Sequence, residues 1–391
     1  MKILILTERF FPEEFLVNDI AAYWCDRGYS VEVLTQVPSY PRDRIFDGYR
    51  NRLFQTTCEY RNIPVHRVRT VLGYNSGGMK RKIVNYISFA FLTSLWALVF
   101  GWKYDRVFTY HTGPLSMASA ALILRFIWWR KCMIWTQDVW PDTVYNYGVK
   151  PTRTMRLFLD TVVRVIYWAF SCITVSCPGF IGILKKYTVK SVVFLPQWTT
   201  NPTPLPPRRP VDKLIFTFAG NTGSVQNLDT LIEAFSRIPQ DRAVLRIVGD
   251  GVFLNRLKEQ VQKLGIDHVE FTGRRPRAEM PNFFEQSDVL IISLKSVFNL
   301  TIPAKFQAYI AAGRPIFGAV RGDAAELIRQ HDLGLTADPD DVDSIAGTFR
   351  KFCDTPPETF ICWQKNALAF SDEKFCRNKI LQRMTAILMA L

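Results

Sequence analysis

Six prolines fall between Pro196 and Pro210, at positions 196, 202, 204, 206, 207 and 210. Proline fixes φ and has no backbone N–H, so neither a helix interior nor a central strand tolerates that density. The stretch reads as a connector over residues 196–212, with a domain before it (1–195) and another after it (213–354). A chain of 391 residues also exceeds what one hydrophobic core usually serves.

On both sides short apolar strands alternate with helical stretches, the α/β pattern. Before the connector, Ile3–Leu6, Val31–Thr35, Val107–Tyr110, Met133–Thr136 and Ile173–Val175 read as strands, with helices near Asn18–Arg27 and Met117–Phe126. After it come strands at Leu214–Phe218, Val244–Val248, Val269–Thr272 and Val289–Ser293. Helices are expected over Asn227–Ile238 and from about Pro303 to just before Gly313. Two Rossmann-like units follow, with ligands at the carboxyl ends of strands and a cleft between the domains as the natural active site.

The composition, 48% hydrophobic and 21% charged, excludes disorder, collagen-like repeats and coiled coil. Met1-Lys2 runs straight into Ile3–Leu6, which reads as a first strand and is too short for a signal h-region, so no signal segment is expected. Eight cysteines without a C-x-x-C pair point away from zinc and from a disulfide framework, toward a reducing cytoplasm.

The net charge of +14 sits almost wholly in residues 1–195, which carry +12. An anionic partner is implied, and the clustering of Trp and Phe in the same half favours a membrane surface over nucleic acid. Ile87–Trp102 is sixteen residues without a charge, preceded by Lys80, Arg81 and Lys82. A spanning helix needs about 20 apolar residues, so this run reads either as a buried helix or as one lying among headgroups. Phe126–Lys131 adds an aromatic tip followed by two cations. Peripheral attachment is the expectation.

Chemistry concentrates in the second half. Phe218–Phe235 is strand, glycine loop and helix, and the amides of Gly220, Asn221, Thr222 and Gly223 can hold a phosphate. The loop is neither G-x-G-x-x-G nor a P-loop, which disfavours a dinucleotide dehydrogenase or epimerase. In Thr301–Gly318, Pro303 and Ala304 open a helix and Lys305 follows at once. A lysine there opposes the helix dipole, so it is badly placed for stability and well placed for a bound diphosphate, unless it is simply a solvated surface cation. Arg274 and Arg275 follow a strand and serve a base or phosphate, or else a solvated loop. Gly249 marks a strand-ending turn. In the first half Asp138 is either an acceptor-orienting group or a turn cap. His111 is an acceptor contact or a structural histidine, and Glu13 with Glu14 lies in the loop after the first strand.

These strings, in this order, resemble the family 4 retaining glycosyltransferases of GT-B fold, in the branch near the bacterial L-fucosamine transferases. The resemblance runs through Leu6–Pro12, Arg27–Thr35, Gln137–Gly148, Val175–Phe180, Ala219–Gly223, Val248–Gly251, Phe271–Pro281 and Pro303–Pro315. It implies a nucleotide-sugar donor, UDP-linked by preference, in the second domain. It also implies a polyprenyl-diphosphate-linked acceptor in the first, no metal or cofactor, and final helices (355–391) crossing back to the first domain. The place would be the cytoplasmic face of a bacterial inner membrane, in O-antigen, capsule or exopolysaccharide assembly. Lys305 and Asp138 become the catalytic candidates, and Glu13 and His111 the acceptor contacts. Three places depart from the family pattern. Asn221 and Gln226 replace an Arg and a Lys, Leu300 and Ala308 replace the E-x7-E carboxylates, and Gln137 replaces a His. Gln307 is then the nearest polar side chain for a ribose. A catalytically impaired nucleotide-sugar-binding scaffold is the competing reading.

Overall fold

The computed structural model describes the chain except residues 41–42, 73–77, 143–144, 146–150, 201, 209 and 211–212. Part of the Gln137–Gly148 string and of the proline-rich connector lies outside the described residues. The chain forms two units, Met1–Leu195 with Asn378–Leu391, and Pro196–Arg377.

Among the described residues, unit 1 is built on an eight-stranded sheet of order β3-β4-β2-β1-β5-β6-β7-β8. The strands are β1 (Lys2–Thr7), β2 (Ser30–Gln36), β3 (Phe54–Tyr60), β4 (Ile63–Val68), β5 (Arg106–His111), β6 (Lys131–Thr136), β7 (Cys172–Val175) and β8 (Val192–Phe194). All neighbours are parallel except β3, which runs antiparallel to β4. Ile3–Leu6 are fully buried, as a strand covered on both faces requires. Helices α1 (Leu16–Asp26), α2 (Gly78–Phe100), α3 (Ala120–Phe126), α4 (Arg153–Trp168) and α5 (Gly179–Leu184) belong to this unit.

Helix α2 corrects the expected sixteen-residue run. It spans 23 residues, and Lys80, Arg81 and Lys82 lie within its first two turns rather than before it. By length and composition it is apolar enough to cross a membrane. The helix continues back past Ile87 because Asn85, the polar residue before the run, is absorbed locally, as Thr93 is within it. Asn85 Nδ2 donates to Thr70 Oγ1 and to Val71 O, and Thr93 Oγ1 donates to Phe89 O. One face, with Phe89, Leu92, Trp96 and Ala97, is buried in unit 1, whereas Ile83, Ile87, Phe91, Leu95 and Leu98 are exposed.

Unit 2 holds a six-stranded parallel sheet of order β11-β10-β9-β12-β13-β14. These are β9 (Leu214–Ala219), β10 (Ala243–Val248), β11 (Val269–Gly273), β12 (Val289–Ser293), β13 (Ile316–Ala319) and β14 (Gly334–Ala337). Its helices are α6 (Leu228–Phe235), α7 (Leu254–Leu264), α8 (Met280–Gln286), α9 (Ala304–Ala311), α10 (Asp323–Gln330), α11 (Val342–Asp354) and α12 (Pro357–Lys374). The connector is tied to this unit. Arg208 Nε donates to the buried Asp288 carboxylate at 2.7 Å, and Arg314 Nη1 donates to Pro206 O at 3.1 Å. The last helix, α13 (Arg377–Met389), groups with unit 1, where Trp24 Nε1 donates to Thr385 Oγ1 at 2.8 Å. Its predecessor α12 stays in unit 2, with Phe360 and Trp363 in the core.

That core is aromatic. Phe216 meets the rings of Phe349 at 4.9 Å and Phe352 at 5.6 Å edge-on, and all three side chains are fully buried. Truncating Phe216 to Ala leaves a cavity among rings that cannot collapse together. Denaturant unfolding of the variant should show a loss of about 3–5 kcal/mol in unit 2. A loss below about 1 kcal/mol would mean that the aromatic cluster is not what holds the unit.

Candidate functional site

Each sheet has one strand from which the chain turns both ways, β1 in unit 1 and β9 in unit 2. The carboxyl ends at such a point open outward and collect ligands in α/β folds.

In unit 2, β9 runs into Gly220, Asn221, Thr222 and Gly223, followed by a short 3-10 turn (Ser224–Gln226) and α6. The loop is fixed by its own backbone. Gly220 N donates to Val248 O at 2.8 Å, Thr222 N to Asp250 O at 3.0 Å, and Gly223 N to Gln226 Oε1 at 3.1 Å. Gly249, at φ 146°, crosses Gly220 so closely that a Cβ there would stand 1.8 Å from the Gly220 carbonyl oxygen. No side chain fits, so Gly249 is the packing surface of the loop rather than a chemical group.

Lys305 comes to this loop from α9, two residues after Pro303 and one after Ala304. Its anchor is one turn further on. The Tyr309 hydroxyl accepts from Ala219 N at 3.1 Å and lies 3.3 Å from Ala219 O, tying α9 to the last residue of β9. Part of the Lys305 stem is exposed, but Nζ is buried and has no hydrogen-bond partner. It sits 3.6 Å from the centroid of the Phe218 ring and 3.0 Å from where a Gly220 Cβ would stand. Burial without a counter-ion pulls its pKa down to about 7. An unpaired amine held behind a glycine loop lacks an anion, and the loop is where one would enter.

The other candidates of this unit fall as follows. Arg274 and Arg275 are exposed at the carboxyl end of β11, on the same edge of the sheet. Asn221 is exposed, and Thr222 is buried with Oγ1 unpartnered. Gln226 is engaged by the Gly223 amide. Gln307 is buried, and with its amide turned to donate it reaches Ala304 O at 2.8 Å and Pro303 O at 3.0 Å. Its side chain is thus used by the first turn of α9 and is not presented to a ribose. A cavity of about 150 Å³ lies beside Gly223, Leu228, Phe253 and Lys295. It is smaller than sites that enclose a ligand, and the loop with Lys305 is the feature suited to an anion.

In unit 1 the carboxyl edge is filled from within. Glu13 is buried and accepts from Arg9 Nη1 at 3.2 Å, Ser39 N at 3.0 Å and Tyr40 N at 2.7 Å. With three donors it holds the β1–α1 loop to the segment after β2, which is structural work. Glu14 is exposed. His111, at the end of β5, is fully buried, and burial pulls its pKa down to about 4, so its ring is neutral. Neither ring nitrogen has a well-formed hydrogen bond, though the Gly113 backbone lies close by. Asp138 is half-buried at the carboxyl end of β6, where it adds to burial in pushing up the Tyr167 phenol. Lys80 and Arg81 are exposed and Lys82 is half-buried, on α2.

Two residues escaped the sequence reading. Tyr309 was visible only as the position one helical turn after Lys305. Glu8, directly after β1, is buried with Oε1 unpartnered, and burial pushes it up to about 7 against the opposing pull of Arg9. Its signal was a carboxylate following the first apolar strand, overshadowed by the Glu13-Glu14 pair.

Residues 206–367 match the family model of the glycosyl transferases group 1. WbjE of Pseudomonas aeruginosa, described as a glycosyltransferase, is 24% identical over 62% of this chain and 65% of its own length. WcaI of Escherichia coli K12, described as a colanic acid biosynthesis glycosyl transferase, is 22% identical over 80% of this chain and 82% of its own. Among solved structures, sucrose-phosphate synthase of Thermosynechococcus elongatus superposes with a TM-score of 0.73 at 16% identity, over 99% of this chain and 97% of that one. HepE of Anabaena, solved in complex with UDP, superposes with a TM-score of 0.71 at 17% identity over the whole of both chains. The solved structures establish the fold class, GT-B, with two Rossmann-like α/β units. The sequence matches support glycosyl transfer as the activity, and the second unit carries the group 1 domain over residues 206–367.

The two buried titratable groups make opposite pH signatures. Glu8 keeps its proton in the fold up to about pH 7 while the unfolded chain loses it near 4.5, so stability falls as pH rises through that window. Lys305 is deprotonated in the fold above about pH 7 while the unfolded chain holds its proton to about 10.5, so stability rises between those values. Thermal melts should find the advantage of Glu8→Gln over the parent growing from pH 4.5 to 7. That of Lys305→Met should shrink from pH 7 toward 10. Flat differences would show that neither group is buried as described.

Proposed function

We propose that the protein moves a sugar, with retention at its anomeric carbon, from a nucleotide-sugar donor to a polyprenyl-diphosphate-linked saccharide. A UDP-sugar is favoured, and HepE, with the same fold, was solved with UDP. The observation that carries the reading is the buried, unpaired Lys305 Nζ behind the Gly220–Gly223 loop. A donor diphosphate at this loop would meet the free amide of Asn221, the start of α9 and the lysine. Its negative charge would raise the proton affinity that burial lowered, so Lys305 takes a proton from solvent and an ammonium faces the departing diphosphate as the bond from the sugar C1 to the phosphate oxygen breaks. The acceptor hydroxyl forms the new bond to C1 and gives its proton to the leaving phosphate or to Asp138. Arg274 and Arg275 supply further positive charge on the same edge.

The name of WcaI places that relative in colanic acid biosynthesis, which supports a role in bacterial O-antigen, capsule or exopolysaccharide assembly. The resemblance to L-fucosamine transferases makes UDP-linked N-acetylated deoxyhexosamines the first donors to try. A lipid-linked acceptor explains why cations and aromatic side chains crowd unit 1, and places the protein peripherally on the cytoplasmic face of the inner membrane. The scaffold reading draws on the inward-turned Gln307 and on Leu300 and Ala308 in place of carboxylates. It requires donor binding without turnover.

A thermal-shift screen of UDP-, GDP- and dTDP-sugars, with UDP itself, identifies the donor, since a ligand of the fold raises its melting temperature. With that donor, Lys305→Ala should lower kcat/KM by ~10²-fold, as loss of one preorganised charge does. Asp138→Asn should lower turnover while donor affinity stays within a few fold. Wild-type kinetics in Lys305→Ala would place the diphosphate elsewhere, and binding of a donor that is neither hydrolysed nor transferred would leave the scaffold.

Three cations near an anionic surface are worth roughly 1 kcal/mol each. Replacing Lys80, Arg81 and Lys82 by Gln should therefore weaken partitioning onto anionic vesicles by about a hundredfold and leave donor hydrolysis intact. Unchanged partitioning would remove this end of α2 from the membrane contact.

A further inference from the structure

Trp129 stands in the turn between α3 and β6 with φ 56° and 77% of its surface exposed. Left-handed backbone belongs to glycine or asparagine. A bulky ring there is held at a cost and, in this place, buries nothing. Its surroundings are equally unusual. Ile127 is exposed, and Trp168, at the end of α4, is 64% exposed with its ring 4.6 Å from that of Phe126. Trp102, just past α2, is exposed too. Hydrogen bonds hold these pieces together. Arg130 Nη2 donates to Trp102 O at 2.8 Å, and Trp128 Nε1 donates to Ala97 O at 2.9 Å. The exposed stripe of α4 continues the surface through Leu157, Phe158 and Val165. A helix of a water-soluble domain puts such a stripe inward.

Charge selects the occupant. Lys103 and Lys131 are exposed around the tip, with Arg125 and Arg130 half-buried. Asp105 is the sole acidic residue between Gly78 and Thr136, and its carboxylate already accepts from the Lys2 backbone amide. On α4, Arg153, Arg156 and Arg164 are exposed, while Asp160 accepts from the Tyr187 hydroxyl. A second copy brought against this face would set cation against cation. An anionic bilayer complements both features, with tryptophan rings at headgroup depth and cations on lipid phosphates.

We propose that Trp102, Ile127, Trp129 and Trp168 insert into the headgroup layer of an anionic bilayer, as a second contact apart from Lys80 and Arg81. The proposal rests on the membrane-acceptor reading above and deepens it. The two contacts lie at opposite ends of α2, ~34 Å apart at 1.5 Å per residue. With both contacts on one bilayer surface, helix α2 lies along it instead of crossing it. Its Phe89, Leu92, Trp96 and Ala97 face is already buried in unit 1, which a spanning helix would have to surrender.

The test is co-sedimentation of the full chain with phosphatidylcholine–phosphatidylglycerol vesicles and with phosphatidylcholine alone, for the parent, Trp129→Ser/Trp168→Ser and Lys80→Gln/Arg81→Gln. Each buried ring is worth about tenfold, so the double tryptophan variant should partition about a hundredfold more weakly, with unchanged circular dichroism. Brominated lipid should quench the parent's tryptophan fluorescence more than the variant's. Partitioning of the tryptophan variant like the parent, while the Lys80/Arg81 variant weakens, overturns the tip and leaves membrane attachment standing. Failure of the parent to bind anionic vesicles overturns both. A lipid-free dimer by sedimentation velocity that the tryptophan variant splits would give the surface to a second copy and overturn the proposal.

Discussion

The hydroxyl of Tyr309 brackets the backbone of Ala219, and the geometry of the second unit's site depends on that contact. It fixes the distance between α9 and the end of β9, one helical turn from Lys305. A cation carried by a helix is thereby held behind a loop carried by a strand. The close crossing of Gly249 on Gly220 closes the loop from the other side. Between these constraints the Lys305 amine has the Phe218 ring for company and no anion. Desolvation alone accounts for its lowered proton affinity, and a diphosphate would remove that cause by supplying the missing charge.

The two units treat the same architectural position differently. In unit 2 the carboxyl edge beside the turning strand is backbone, glycine and one unpaired amine. In unit 1 that edge is packed with polar side chains. Glu13 is satisfied by three donors, Glu8 is held near neutrality, and the His111 ring carries no charge. Such an edge suits uncharged hydroxyls, whereas the unit 2 edge suits phosphate. That division is the one the proposed reading calls for, with the donor at unit 2 and a sugar acceptor at unit 1.

Strands buried on both faces were legible in the sequence because they are unbroken apolar runs. Val289–Ser293 coincides with β12 residue for residue. Strands β3 and β4 were not legible. Phe54–Tyr60 lies at a sheet edge and is largely exposed, so its residues are mixed and its pairing depends on β4 alone. Short β13 and β14 were hidden among the loops and helices that flank them. At the site, Lys305 was legible because a lysine entering a helix is out of place electrostatically. Gln307 was misread because helical position does not tell whether a side chain turns outward or back onto its own first turn. Tyr309 was hidden because its role comes from a contact 90 residues away, and Glu8 was overshadowed because burial, not its place after the first strand, sets it apart from Glu13 and Glu14. The length of α2 was underestimated for a related reason. Asn85, just before the apolar run, looks polar in the sequence and is satisfied in the fold.

The central claim is that an uncharged, buried Lys305 becomes an ammonium when a diphosphate enters the Gly220–Gly223 loop. Calorimetric titration of UDP into the protein at about pH 8, repeated in buffers of different ionisation enthalpy, measures the protons taken up on binding. The account predicts net uptake approaching one proton per UDP, abolished in Lys305→Met. Binding with no proton uptake, or uptake that persists in Lys305→Met, would contradict it.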